Sequence, residues 1–279
     1  MRTHTVATPD GWKLGLLEYD GGARGTIYLQ HGLGSNALNF DLEHAFRPAR
    51  WLAQRGWRVF AGSLRGRAPG EPHGGRSWTF SDCETDARAL AGRVAELAGP
   101  FHWVGHSLGG ILGLRLGGPI LSLTTLGSAL NYSEGGSVFP RLLPLRRLPM
   151  PAVLPARLGH MALAPVIYAA GRLYRRLDWC AARSFHANQG DLSSAELREL
   201  ADVVVAAPRP LPEVKAPWLC VAGSHDSQCP PATARWTYER VAAPRKRWLL
   251  MEGFAHVDLA IGRGAEAVWS AVETAILAA

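Results

Sequence analysis

Phe101-His102-Trp103-Val104-Gly105-His106-Ser107-Leu108-Gly109 reads as a strand that turns sharply into a helix with a serine at the bend. A bend of this kind holds the serine in a strained backbone geometry, and side chains two residues before and after it would collide with the neighbouring strand or helix; glycines at 105 and 109 remove that clash. Gly110-Ile111-Leu112-Gly113-Leu114-Arg115-Leu116 continues as a buried helix. Ser107 is therefore the candidate nucleophile. A serine that only caps the helix is the structural alternative.

Outward from this point, short β-rich runs alternate with helical patterns. Thr5–Ala7 and Leu14–Tyr19, joined around Pro9-Asp10-Gly11, form an opening antiparallel pair. Thr26–Gln30 is a continuous apolar run of the kind buried on both faces of a parallel sheet. A helix over Leu42–Arg55, a strand over Trp57–Leu64, a helix over Ser81–Leu97 and strands at Phe101–Val104 and Leu123–Leu126 follow. Strands at Trp218–Ala222 and Arg247–Met251 resume the pattern, and Ala265, Val268, Trp269, Val272 and Ile276 form the apolar stripe of a closing helix. The fold class expected is a doubly wound, mostly parallel α/β sheet.

The rhythm breaks in the middle. Prolines at 140, 144, 149, 151, 155 and 165 disfavour a sheet strand there. Val166, Ile167, Ala170, Leu173, Tyr174 and Leu177 recur at helical spacing with Arg172, Arg175 and Arg176 on the other side, and Ser193 with Glu196 has the spacing of a capping box. The expected organisation is a core of residues 1–132 and 213–279 with a helical cap over 133–212.

Composition bounds the rest. The chain has 279 residues, 47% of them hydrophobic, enough for one large α/β domain with an insertion. No stretch approaches the roughly 18 apolar residues of a membrane span. The N-terminus lacks the apolar core of a secretory signal, so a cytoplasmic location is expected. Cys83, Cys180, Cys220 and Cys229 share no zinc or redox spacing and are expected as reduced thiols, Cys220 in a buried strand. No metal or cofactor is implied. The net charge of +7 is concentrated between Gly135 and Pro212, where ten arginines face five carboxylates. The arginine bias of the whole chain, 27 to 3 lysines, accounts for this compositionally; a weak contact with an anionic membrane surface is the alternative. No aromatic and basic pattern points to nucleic acid.

A serine hydroxyl needs an imidazole to accept its proton and an anion to orient that imidazole. Asp226 follows the strand Trp218–Ala222, and His256 follows Arg247–Met251 in Gly253-Phe254-Ala255-His256. Both lie beyond the carboxyl ends of strands, where ligands collect in open α/β sheets. Bland readings stand beside these: an aspartate bonding its own turn, and a surface-loop histidine. The loop after Leu123–Leu126, the other location for an acid, offers no carboxylate. His106 is expected to point away from the bend and pack under the sheet, and His225 to make a turn contact. His31-Gly32-Leu33-Gly34 follows Thr26–Gln30, so the Leu33 and Leu108 N–H groups are the candidate oxyanion donors; for His31-Gly32 the plain reading is an ordinary turn.

With these residues the chain resembles the α/β-hydrolase superfamily over nearly its whole length outside the cap. The order Ser107, Asp226, His256 and the His31-Gly32 pair match that family's pattern. Gly62-Ser63-Leu64-Arg65-Gly66 and His256-Val257-Asp258 look like its acid-lipase and esterase branch, although Asp258 reads equally as the N-cap of the final helix. The resemblance implies an eight-stranded sheet and a cofactor-free serine hydrolase acting on a small ester or acyl substrate. Serine at the bend sets aside relatives that use aspartate or cysteine there. Thioesterase, acyltransferase and carbon–carbon hydrolase remain alternatives of the same fold, and a non-catalytic binding protein is one of another class.

Overall fold

In the computed structural model, which describes residues 1–67, 73–142, 144, 147 and 149–279, the eight expected strands join into one sheet. They are β1 (Arg2–Ala7), β2 (Lys13–Tyr19), β3 (Thr26–Gln30), β4 (Arg58–Gly62), β5 (His102–His106), β6 (Ser122–Leu126), β9 (Trp218–Gly223) and β10 (Lys246–Met251). The order is β1-β2-β4-β3-β5-β6-β9-β10. β2 runs antiparallel to β1 and β4, and the pairs from β4 to β10 are parallel. The remaining strands, β7 (Val153–Leu154) and β8 (Leu192–Ser193), form a separate antiparallel pair.

Helices α1 (Pro48–Gln54), α2 (Phe80–Ala98), α3 (Leu108–Leu116), α8 (Pro231–Arg240), α9 (Asp258–Ile261) and α10 (Ala265–Leu277) belong to the sheet's connections. Between β6 and β9 the chain inserts α4 (Phe139–Leu142), α5 (Ala156–Ala170), α6 (Trp179–Ala187) and α7 (Ser194–Val205). Successive residues of β3 serve the two cores: Tyr28 belongs to the one that holds Trp103, Leu112 and Trp218, and Ile27 and Leu29 to the one that holds Trp269 and Val272. That two-residue alternation inside a fully buried strand explains why its sequence is apolar throughout. Among the described residues no helix is long and apolar enough to cross a membrane.

Four local expectations are corrected. The helix expected over Leu42–Arg55 is only Pro48–Gln54, preceded by a 3-10 turn at Ala37–Asp41. Proline lacks the N–H of an interior helical residue but suits the first turn, so Pro48 opens the helix rather than continuing one. The capping box at Ser193 does not form, since the Ser193 side chain makes no cap hydrogen bond. Its hydroxyl instead accepts from the Trp78 N–H at 3.1 Å, and Glu196 turns inward to Arg67. A capping box does form on α2, where Thr79 and Asp82 bond reciprocally. The apolar stripe expected from Val166 to Leu177 is interrupted: α5 ends at Ala170, Gly171 takes a left-handed conformation, and Val166 is exposed while Tyr174 and Leu177 are buried. Finally, Asp258 opens α9 and does not cap the closing helix, which starts at Ala265. Cys220 is buried in β9 as expected, and all four cysteines are free.

Candidate functional site

Ser107 stands between β5 and α3 with φ 54° and ψ −117°. Only one other non-glycine among the described residues, His44, has a positive φ. A side chain at Gly105 would overlap the Gly109 carbonyl, and one at Gly109 the Gln30 carbonyl, so helix, bend and β3 can approach only because both positions are glycine. The strained backbone is held by its bonds: Ser107 N–H donates to the Leu126 carbonyl at 2.9 Å, and the Ser107 carbonyl accepts from Gly110 N–H and from the Ser128 hydroxyl, each at 2.9 Å. The Ser107 residue is half-buried, and its hydroxyl makes no hydrogen bond among the described residues.

Beyond β9 and β10, Asp226 and His256 meet. His256 Nδ1 lies 2.7 Å from Asp226 Oδ2, with both side chains buried. The other carboxylate oxygen, Oδ1, accepts from Gln228 N–H at 2.9 Å and Cys229 N–H at 2.8 Å. The aspartate does bond its own turn, then, and its second oxygen is aimed at the histidine. Nδ1 being committed to the carboxylate leaves Nε2 as the free side of the ring. Gly127 makes the pair possible, because a Cβ there would lie 2.9 Å from Asp226 Oδ2 and 3.1 Å from His256 Nδ1.

His106 corrects an expectation. It does not simply pack under the sheet: its Nε2–H donates to the His256 carbonyl at 3.0 Å, and the two rings lie 4.8 Å apart. Burial, and then the neighbouring His256, pushes the His106 pKa down to about 3, which keeps it a neutral prop. A second prop is Asp258, whose carboxylate accepts from Ala255, Arg175 and Arg176 N–H groups, each at 2.9 Å, and so ties the His256 loop to the inserted segment. His225 makes the turn contact expected of it, with Ser224 Oγ at 3.1 Å.

Opposite the bend runs His31-Gly32-Leu33. A Cβ on Gly32 would lie 3.1 Å from Ser107 Cβ and 3.3 Å from His106 Nδ1, so the loop passes directly over the serine. His31 Nε2 accepts from Leu64 N–H at 3.1 Å, which leaves the proton on Nδ1 for donation to the Gly32 carbonyl at 2.7 Å. Burial lowers the His31 pKa to about 3, so this neutral tautomer persists. The Gly32 carbonyl also accepts from Ser35 N–H at 3.2 Å. A trans peptide points its N–H opposite to its carbonyl, so pinning the Gly32 carbonyl fixes the direction of the Leu33 N–H. Leu108 is the first residue of α3, where an N–H has no partner within the helix.

The inserted segment reaches this loop. Asn36 Nδ2 donates to the Asn188 carbonyl at 2.7 Å, Asn188 Nδ2 returns bonds to Asn36 and Asn39, and Gly190 N–H donates to the Gly34 carbonyl at 2.7 Å. Phe185 of α6 closes a small cavity, about 10 Å³, over His31, Gly32, His106, Val257 and Ile261. A larger cavity of about 370 Å³ opens among Ser122, Trp218, Lys246 and Ala278, at the amino ends of β6, β9 and β10. It lies at the opposite end of the sheet from Ser107 and takes no part in the site.

At the carboxyl ends of the strands the structure thus pairs Asp226 with His256 and lays Gly32, the residue before Leu33, against Ser107; no hydrogen bond joins Ser107 to His256 among the described residues. His106, Gly127, Ser128 and Asp258 were not assigned there from sequence. Gly127 alone carried a readable signal, a glycine directly after a buried strand. A model of the alpha/beta hydrolase family matches residues 27–264.

The chain belongs to the alpha/beta hydrolase family.

Among curated proteins nothing matches this α/β-hydrolase. Solved structures do. An esterase from Exiguobacterium antarcticum superposes with a TM-score of 0.73 at 13% identity, covering 99% of each chain. An epoxide hydrolase from Vigna radiata gives 0.71 at 18% identity over 100% of this chain and 98% of its own. A monoacylglycerol lipase from Paleococcus ferrophilus gives 0.68 at 18% identity over the whole of both chains. At these identities the likeness is one of fold.

Proposed function

We propose that this α/β-hydrolase cleaves carboxylic esters through an acyl-enzyme on Ser107. The observation that carries the reading is the buried 2.7 Å contact between His256 Nδ1 and Asp226 Oδ2, with the ring of His106, the residue before the strained and half-buried Ser107, 4.8 Å from that of His256. Ser107 Oγ attacks the ester carbonyl while His256 Nε2 takes its proton; Asp226 orients the ring and stabilises the imidazolium. The Leu33 and Leu108 N–H groups hold the developing oxyanion, each contributing about 3 kcal/mol. The imidazolium then protonates the departing alcohol. Water, deprotonated by the same nitrogen, releases the acid and restores the serine.

The inserted segment acts in this reading as a cap over residues 133–212. Phe185 and Ile261 give the pocket an apolar wall, and a cavity of about 10 Å³ holds roughly one water molecule.

The test is stoichiometric labelling of Ser107 by a fluorophosphonate, lost in Ser107→Ala, followed by turnover of p-nitrophenyl esters of rising chain length with acyl-CoA alongside. Labelling with ester turnover supports the proposal. Labelling with acyl-CoA turnover alone assigns a thioesterase or acyltransferase, and folded protein that is never labelled assigns a binding protein.

A further inference from the structure

The outward positions of α5, Ala162, Leu163, Val166, Ala169 and Ala170, recur at helical spacing, and all are exposed. None carries a polar atom on its side chain. Leu163 is 55% exposed and Val166 66%; beside them Tyr168, at 38%, packs edge-on against Trp179 of α6, at 41%, with ring centroids 5.3 Å apart. Four of the eight large hydrophobic side chains exposed among the described residues fall between 163 and 179, so this is a patch rather than scatter. A helix with no polar face is normally buried all round.

Cations rim the patch at one end. Arg172 and Arg175 follow directly after α5, and Arg183 lies one turn beyond Trp179 on α6. All three are exposed, and their guanidinium groups make no hydrogen bond or ion pair among the described residues. The nearest acid in sequence, Asp178, has its carboxylate engaged by the Ala181 N–H at 2.9 Å. A second copy of this face would set arginines against arginines. An anionic bilayer complements both parts, taking Leu163, Val166 and the aromatic pair into its headgroup region while its phosphates and carboxylates meet the arginines.

We propose that the outer face of α5, with the Tyr168–Trp179 pair and the Arg172, Arg175 and Arg183 rim, docks this protein onto an anionic phospholipid surface. The arginine excess is explained by composition alone; the structure adds an uncovered apolar helix beside it. Docking is independent of the reaction at Ser107.

Co-sedimentation of the full chain with vesicles of phosphatidylcholine and phosphatidylserine in equal parts, against phosphatidylcholine alone, tests this. Binding is expected on the mixed vesicles at low ionic strength and is expected to weaken as salt screens the arginines. Replacing Arg172, Arg175 and Arg183 by Gln should lower the partition about fivefold per charge. Leu163→Asp with Val166→Asp should abolish it. Far-UV circular dichroism checks that each variant is folded; the arginine set, whose side chains bond nothing among the described residues, keeps the test open if the apolar pair does not fold. No binding at low salt overturns the proposal, as does binding that survives both sets of substitutions. A dimer that Val166→Asp dissociates, in protein without vesicle affinity, overturns it too and gives the face to a second copy.

Discussion

Two of the buried pairs in this molecule are opposite in character. Asp226 and His256 have side-chain exposures of 0% and 4%, Glu196 and Arg67 of 0% and 0%. Glu196 receives the Arg67 guanidinium at 2.5 and 2.6 Å and the Trp78 indole N–H at 2.8 Å, while Arg67 also donates to the Asp191 carbonyl. This second pair fastens α7, and with it the inserted segment, to the loop after β4. Arginine does not give up its proton in a protein, so the pair is a strut with one state. Imidazole has two ring nitrogens, and in the Asp226–His256 pair Nδ1 faces the carboxylate while Nε2 makes no hydrogen bond among the described residues. Equal burial therefore carries no functional meaning by itself; the ring nitrogen left uncommitted does.

The largest effect expected from breaking this comparison is on the Asp226–His256 side. Asp226→Asn should lower kcat for ester turnover about 10⁴-fold, by favouring the wrong imidazole tautomer, with little change in the thermal midpoint. Steady-state kinetics beside a melting curve checks both halves. A variant that loses stability but keeps kcat would make Asp226 a second strut.

On the other side the order reverses. Glu196→Ala leaves Arg67 charged and buried, and removing one partner of such a pair costs about 3–5 kcal/mol. Chemical denaturation should register that loss, whereas kcat per folded molecule should fall far less than in Asp226→Asn. Replacing Arg67 by Met together with Glu196 by Leu should recover much of the stability, because desolvation of two charges is no longer required.

The two sides also differed in how well the sequence announced them. Strand β3, the bend at Ser107 and the loops bearing Asp226 and His256 were readable because each is fixed locally, by apolar runs, by glycine at set offsets, or by position after a strand. Glu196 was misread as a capping residue for the same reason: its spacing from Ser193 is local, but its true partner lies 129 positions away. His106 was misjudged likewise, since its acceptor is the carbonyl of His256, 150 positions on. The stripe from Val166 onward failed differently. Periodicity marks a face as apolar without saying that anything covers it, and a single glycine, Gly171, ended the helix.

Burial holds His102 neutral and couples that ring to the stability of the fold. His102 has its pKa lowered to about 4 by burial; its Nδ1 lies 2.8 Å from Ser122 Oγ, and its ring meets Trp57 edge-on at 5.9 Å. Below the free value of 6.5 the unfolded chain takes up a proton that the folded one refuses. Stability from this site is thus full above pH 6.5 and is lost as the pH falls towards about 4. The loss amounts to about 3 kcal/mol at most. His31 and His106, each lowered to about 3, act in the same direction. Denaturation midpoints measured across this window should fall with pH, and His102→Gln should flatten the slope; an unchanged slope would show that His102 is protonated inside the fold.

The smallest effect probes where strut and site touch. Asn188 donates to the side chains of Asn36 and Asn39, and Asn36 in turn accepts from Leu38 N–H at 2.9 Å, so the end of α6 steadies the loop that follows Leu33. Asn188→Ala removes these donors from a polar cluster and should cost about 1–2 kcal/mol of stability. If that loop also aims the Leu33 N–H at the oxyanion, kcat should fall about tenfold while KM moves little, since the lost interaction belongs to the transition state. A fall in stability with kcat intact would confine the inserted segment to holding the fold and leave the aim of Leu33 to His31 and Ser35, whose Nδ1–H and N–H both fix the Gly32 carbonyl.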